Sequence, residues 1–205
     1  MPLCPPGASD VTRAFAILPA MPVATSLGTP LCSYEIDEAG DLVVVDDRWC
    51  RFALENGAPE YADRAALYGR RLLSFISEPT TRLIYSALIA RVAATGEPVS
   101  VSFRCDAPAF RRWLELEMTP RVDGGVCFTS RQTRGEPREA PFHVDAAAPR
   151  AAAMIRMCSW CNDIATPRGW LRAEEAVVAL ELFAGRSVRS ITHGICPACI
   201  SRFDL

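Results

Sequence analysis

Two Cys-x-x-Cys pairs near the C-terminus are the residues best placed to do chemistry: Cys158 with Cys161, and Cys196 with Cys199. A Cys-x-x-Cys turn presents two thiolates to one ion, and two such turns complete the four-sulfur tetrahedron that zinc prefers. Between Cys161 and Cys196 lie 34 residues, more than the roughly 15–20 of a simple ribbon. The stretch 169–185, GWLRAEEAVVALELFAG, accounts for the extra length as an inserted apolar helix ended by Gly185. So small a segment buries little core of its own, and a bound metal would staple it.

His193 stands three residues before Cys196, so five candidate ligands compete for four places. The reading adopted is four cysteine ligands, with His193 as a substitute ligand or as a hydrogen-bond donor to one of them. Four thiolates also suit an iron–sulfur cluster. The CPAC spacing suits a redox dithiol. Both readings stay open beside zinc. Neither pair is followed by His, so the pattern of covalent haem attachment is absent.

Cys105 and Cys127 fall in strand-like runs and read as small buried apolar residues, while Cys4 and Cys32 carry no argument.

Much other chemistry is excluded. All 22 basic residues are Arg, so there is no Schiff-base lysine and no P-loop lysine. The only histidines are His143 and His193, which form no nucleophile–base pair with a neighbour in sequence. A four-cysteine shell also leaves no open catalytic position on a metal. The expectation is a protein that is not an enzyme.

The net charge of −2 comes without a basic stripe, and Arg186 and Arg189 are offset by Glu174, Glu175 and Glu181. A nucleic-acid partner is therefore not expected. No apolar run is long enough to span a membrane. The apolar patch at 14–23 is broken by Pro19 and Pro22 and preceded only by Arg13, which makes a poor signal peptide. The expected location is the cytoplasm, where clustered cysteines hold metal more often than they form structural disulfides.

The elements that must position these residues follow from periodicity. Residues 1–30, rich in Pro, Ala and Gly, read as an N-terminal arm. CSYEID and LVVVDD are strand candidates around the turn EAGD. Asp46 and Asp47 are poised to cap a helix in which Trp49, Phe52 and Ala53 share one face, with Asn56 and Gly57 at its end. After LYGRRLLSFI, Pro79 opens a second helix with Ile84, Leu88 and Val92 on one side and Gly96 at its stop. VSVSFRC, RRWLELEMTP and VCFTSR then alternate apolar and polar residues as three strands, the last two joined by the VDGG turn. Residues 135–153 read as a linker whose end continues as a helix into Met154–Met157. Residues 154–205 form the cysteine-rich module. The fold class is α+β: a five-stranded antiparallel sheet with helices on one face, plus a small helical four-cysteine module.

Over 31–134 this order, with VVVDDRWCRFALENG followed by YGRRLLSFI, resembles a PAS domain. The C-terminal segment, through CSWC, Trp170 and HGICPAC, is similar to a cysteine-rich tail that follows PAS and receiver domains in many bacterial signalling proteins. The resemblance implies a signalling context rather than a reaction: a sensor or adaptor that acts by protein–protein contact, homodimerises and engages a signalling partner. The alternative is a thiol redox sensor using the two cysteine pairs.

Cys50, in WCRF, resembles the photoactive cysteine of flavin-binding LOV domains but lies at the wrong position, and Leu72 occupies the adduct-forming place. Residues 79–95 hold no His for haem. Arg104, Arg112 and Trp113 are candidates to rim a pocket for an unidentified small ligand.

Overall fold

The computed structural model describes residues 28, 30–55, 58–106, 110–137, 150–182 and 188–203. Most of the expected N-terminal arm lies outside these residues, as do Asn56, Gly57 and residues 138–149 of the expected linker. The described residues form two compact units, one ending at 137 and the other beginning at 150.

The first unit opens with β1 (Pro30–Ile36), β2 (Leu42–Val45), α1 (Asp47–Glu55), the single turn α2 (Arg64–Leu67) and α3 (Pro79–Thr95). It closes with β3 (Val99–Arg104), β4 (Phe110–Pro120) and β5 (Val126–Pro137). All strand pairs are antiparallel, in the order β2-β1-β5-β4-β3. One alternating set is buried: Cys32, Tyr34 and Ile36 on β1, Leu114, Leu116 and Met118 on β4, and Val126, Phe128 and Ser130 on β5. The register sets Tyr34 beside Phe128 and Met118 on the far side of Phe128, so the buried residues form rows across the sheet. Helix α1 packs on β1, and α3 on β4 and β5.

Local chemistry fixes these helices. Asp46 accepts the Trp49 N–H at 2.8 Å, capping α1. Trp49, Phe52 and Ala53 are buried as one face. The Trp49 indole N–H donates to the Tyr61 carbonyl at 3.0 Å, and its ring meets Tyr34 edge-on at 5.0 Å. Tyr34 stacks on Phe128 at 4.7 Å. Glu78 caps α3 by accepting the Thr80 and Thr81 N–H groups and the Thr81 hydroxyl. Gly96 ends α3 in the left-handed conformation that a side chain would disfavour. At the β4–β5 turn, a Cβ on Gly125 would lie 2.1 Å from the Ile36 carbonyl oxygen, so only glycine fits there.

The pocket-rim candidates serve the packing of this unit. Arg104 pairs with Asp106 and lies over the Trp113 ring. Arg112 lies over Phe52 and donates to the Cys105 carbonyl at 2.7 Å. Cys105, one residue past β3, is buried as expected and is disulfide-bonded. Burial pushes the Cys32 thiol up to about 12.

The second unit is richer in strands than the sequence suggests. It contains β6 (Arg150–Cys158), β7 (Ile164–Thr166), β8 (Gly169–Leu171), α4 (Ala173–Ala179), β9 (Val188–Gly194) and the one-turn α5 (Pro197–Ile200). The sheet order is β8-β7-β6-β9.

Two expectations are corrected. Met154–Met157 continue a strand rather than a helix, with Met154 exposed and Ile155 buried in a period of two. Among the described residues of the expected helix over 169–185, which run to Leu182, the helix is in place at Ala173–Ala179. Its first residues instead pair back on β7 through a turn in which the Thr166 hydroxyl donates to the Gly169 carbonyl at 2.8 Å. Gly169 adopts φ +110°, open to glycine alone. Ile155, Ile164 and Ala176 form the small core, with Met157, Leu171, Leu180 and Ile191 packed around it.

Candidate metal centre

Strand pairing brings the two cysteine pairs together. β6 and β9 run parallel, with Met157 opposite His193 and Cys158 opposite Gly194. Their C-terminal ends therefore share one edge of the sheet. The first cysteine pair begins at the last residue of β6, and the second follows β9 after one residue.

Backbone hydrogen bonds shape both turns. In the first, the Asn162 N–H reaches the Cys158 carbonyl at 3.0 Å, and the Cys158 N–H reaches the Asp163 carbonyl at 2.7 Å. Asn162 sits at φ +62°, a conformation that asparagine tolerates better than most residues. The Ser159 N–H donates to the Gly194 carbonyl at 2.8 Å and ties this turn to the end of β9. In the second turn, the Cys199 and Ile200 N–H groups both reach the Cys196 carbonyl at 3.0 Å as α5 begins.

The result is a cluster in which the sulfurs of Cys158, Cys161, Cys196 and Cys199 all lie within 4.8 Å of one another. The Cys161 and Cys196 sulfurs are 3.8 Å apart. A tetrahedron with metal–sulfur bonds of about 2.3 Å has edges of about 3.8 Å, so this spacing fits one ion at the centre. Disulfides would need sulfurs about 2.05 Å apart. An iron–sulfur cluster bonds its thiolates to different irons and spreads them wider than one ion does.

The electrostatics also suit a cation. The Trp160 and Cys196 N–H groups each donate to the Cys158 sulfur at 3.4 Å. The Cys158 thiol is held well below the ordinary range, first by the Cys161 thiol, then by the Cys199 thiol, both hydrogen-bonding to it. The converse holds for its partners. Cys161 is pushed far up and Cys199 up to about 12, each mainly because its proton is shared with Cys158. A divalent ion bound here would displace the protons that Cys161 and Cys199 hold.

His193 lies on β9 opposite Met157 and is not one of the four groups drawn together. Trp160, the aromatic residue of CSWC to which sequence reading gave no separate role, is 1 % exposed inside the first turn and meets the Phe203 ring edge-on at 4.8 Å. An aromatic residue between two ligands was the available signal. Trp170, by contrast, is only half-buried on β8. Cys50 lies in α1 and Cys127 in β5.

No protein-family model matches the sequence, and no curated protein matches it. Among solved structures, the chain is similar to the PAS domain of Bordetella pertussis BvgS, with 18 % identity and a TM-score of 0.39. The match covers 51 % of this chain and 78 % of that one. Among the described residues, no helix is long and apolar enough to cross a membrane.

Proposed function

We propose that this chain is a cytoplasmic signalling adaptor. Its PAS-like unit senses or dimerises, its C-terminal unit is held by one structural zinc ion, and both act by contact with a signalling protein rather than by catalysis. The observation that carries the zinc site is the grouping of four cysteine sulfurs within 4.8 Å, with a 3.8 Å edge that matches a single tetrahedral ion. Cys158, Cys161, Cys196 and Cys199 are the ligands, and His193 stays outside the coordination shell. Four thiolates fill a tetrahedron and leave no place for a substrate, which agrees with a structural role.

The adaptor role rests on the α+β sheet unit and on the resemblance of the cysteine-rich segment to tails of signalling proteins. It is tested by affinity purification from the native cell, comparing the wild-type chain with Cys158→Ser. The expected result is a signalling protein that accompanies the wild type and is lost with the variant. Identical companions for both would contradict a role for the metal unit in contact. Sedimentation of the purified chain tests the homodimer.

A second reading, a thiol redox sensor, is favoured by one observation: Cys161 is half-buried, whereas the other three cysteines are buried.

A further inference from the structure

The four sulfurs are not equivalent. Cys158, Cys196 and Cys199 are at most 2 % exposed, while Cys161 is partly open. The Cys158 sulfur also accepts two backbone N–H groups, which lower its electron density and fix its position. The Cys161 sulfur faces the Cys196 sulfur across the two turns at 3.8 Å, and the Cys158 and Cys199 sulfurs also lie within 4.8 Å of it. We infer that a peroxide-class oxidant enters this centre at Cys161 and closes a disulfide from Cys161 to Cys196, joining the two cysteine pairs rather than looping either one. The inference rests on the metal-centre reading above and assigns its regulation.

The chemistry balances in two displacements. The Cys161 thiolate attacks one peroxide oxygen, the O–O bond breaks, and hydroxide leaves a sulfenic acid on Cys161. The Cys196 thiolate then attacks that sulfur, the S–S bond forms, and a second hydroxide leaves. Two thiolates lose two electrons in all, and one peroxide gains them. The sulfurs must close from 3.8 Å to about 2.05 Å, a short movement for two side chains. With Cys161 and Cys196 joined, Cys158 and Cys199 alone would be left to hold an ion, too few ligands to retain it. A dithiol reductant returns both thiolates and restores binding.

The test uses the zinc-loaded full chain and one molar equivalent of hydrogen peroxide, followed by alkylation, trypsin digestion and mass spectrometry. Cleavage after arginine separates fragment 157–168, which carries Cys158 and Cys161, from fragment 190–202, which carries Cys196 and Cys199. The expected product is these two fragments joined by a disulfide that fragmentation places between Cys161 and Cys196, with Cys158 and Cys199 alkylated; a joined pair linked through any other cysteines would overturn the inference. The expected product should accumulate in step with zinc released to a chelating dye, and both changes should reverse with dithiol and zinc. Two separate fragments that each contain a looped disulfide would overturn the inference. So would zinc retention with no disulfide. A chain that purifies without metal and takes up no zinc would sink the metal reading and this inference with it, and the metal assay alone identifies that outcome.

Discussion

Removing the Trp160 side chain should weaken metal binding, although Trp160 supplies no ligand atom. Its indole is 1 % exposed and packs edge-on against Phe203 at 4.8 Å. Truncating a buried aromatic to alanine costs about 3–5 kcal/mol, combining lost transfer energy with the cavity left behind. The unit around it is small, with Ile155, Ile164 and Ala176 as its buried apolar cluster. Such a unit draws much of its folding free energy from the ion, so energy lost from the fold is lost from metal affinity. At about 1.4 kcal/mol per decade, a loss of about 3 kcal/mol weakens zinc binding about a hundredfold. The assay is competitive titration against a chromophoric chelator for wild type, Trp160→Phe, Trp160→Ala and Trp170→Ala. Trp160→Phe should retain most of the affinity. Trp170→Ala should change it little, because Trp170 is only half-buried. Affinity of Trp160→Ala within about threefold of wild type would refute the coupling of this aromatic pair to the metal site.

Three further outcomes are expected. Glu78→Ala should destabilise the start of α3 by about 1–2 kcal/mol, read as faster hydrogen exchange at Thr80 and Thr81. Burial raises the Glu78 pKa, but hydrogen bonds from Thr81 and Thr80 outweigh it and hold the value below the ordinary one. This contribution is therefore present above the unfolded carboxylate pKa and lost as pH falls through the folded one, so wild type and variant should converge in acid; a gap that widened there would contradict the cap. Gly125→Ala forces a Cβ to within 2.1 Å of the Ile36 carbonyl oxygen and should lower the melting temperature of the sheet unit by several degrees, because strain of about 1–3 kcal/mol has no flexible side chain to absorb it. An unchanged melting point would show that the turn relaxes freely. Zinc binding near neutral pH should release protons, since the Cys161 thiol is pushed far up and that of Cys199 up to about 12. Titration calorimetry in buffers of different ionisation enthalpy reads the proton count; about two per zinc are expected, one each from Cys161 and Cys199, and a clearly lower value would contradict the shared-proton cluster.

The first unit was largely legible because its signals are local. Asp46 as a cap, Trp49, Phe52 and Ala53 as a buried face, Pro79 and Gly96 as helix ends, and the alternation in β3, β4 and β5 each act over a few residues. The second unit was less legible because its organising contact is distant. Ile155 alternates with exposed neighbours only because β9 lies beside β6, and the apolar run before Cys158 reads equally well as a helix without that partner. Around Thr166 and Gly169 the TPRG turn outweighs helix propensity and sends Trp170 and Leu171 into a hairpin. The four cysteines were visible from spacing. That parallel strands deliver them to one edge, and that Trp160 packs behind them, required three dimensions.

Elemental mass spectrometry of the purified chain, prepared without a metal-bearing affinity tag and read beside its visible absorption spectrum, decides whether the four cysteines hold one zinc ion. About one zinc per chain, no colour, and loss of the metal in Cys158→Ser are expected. A metal-free chain whose thiols take up no zinc, or a coloured chain carrying iron, would contradict the zinc site.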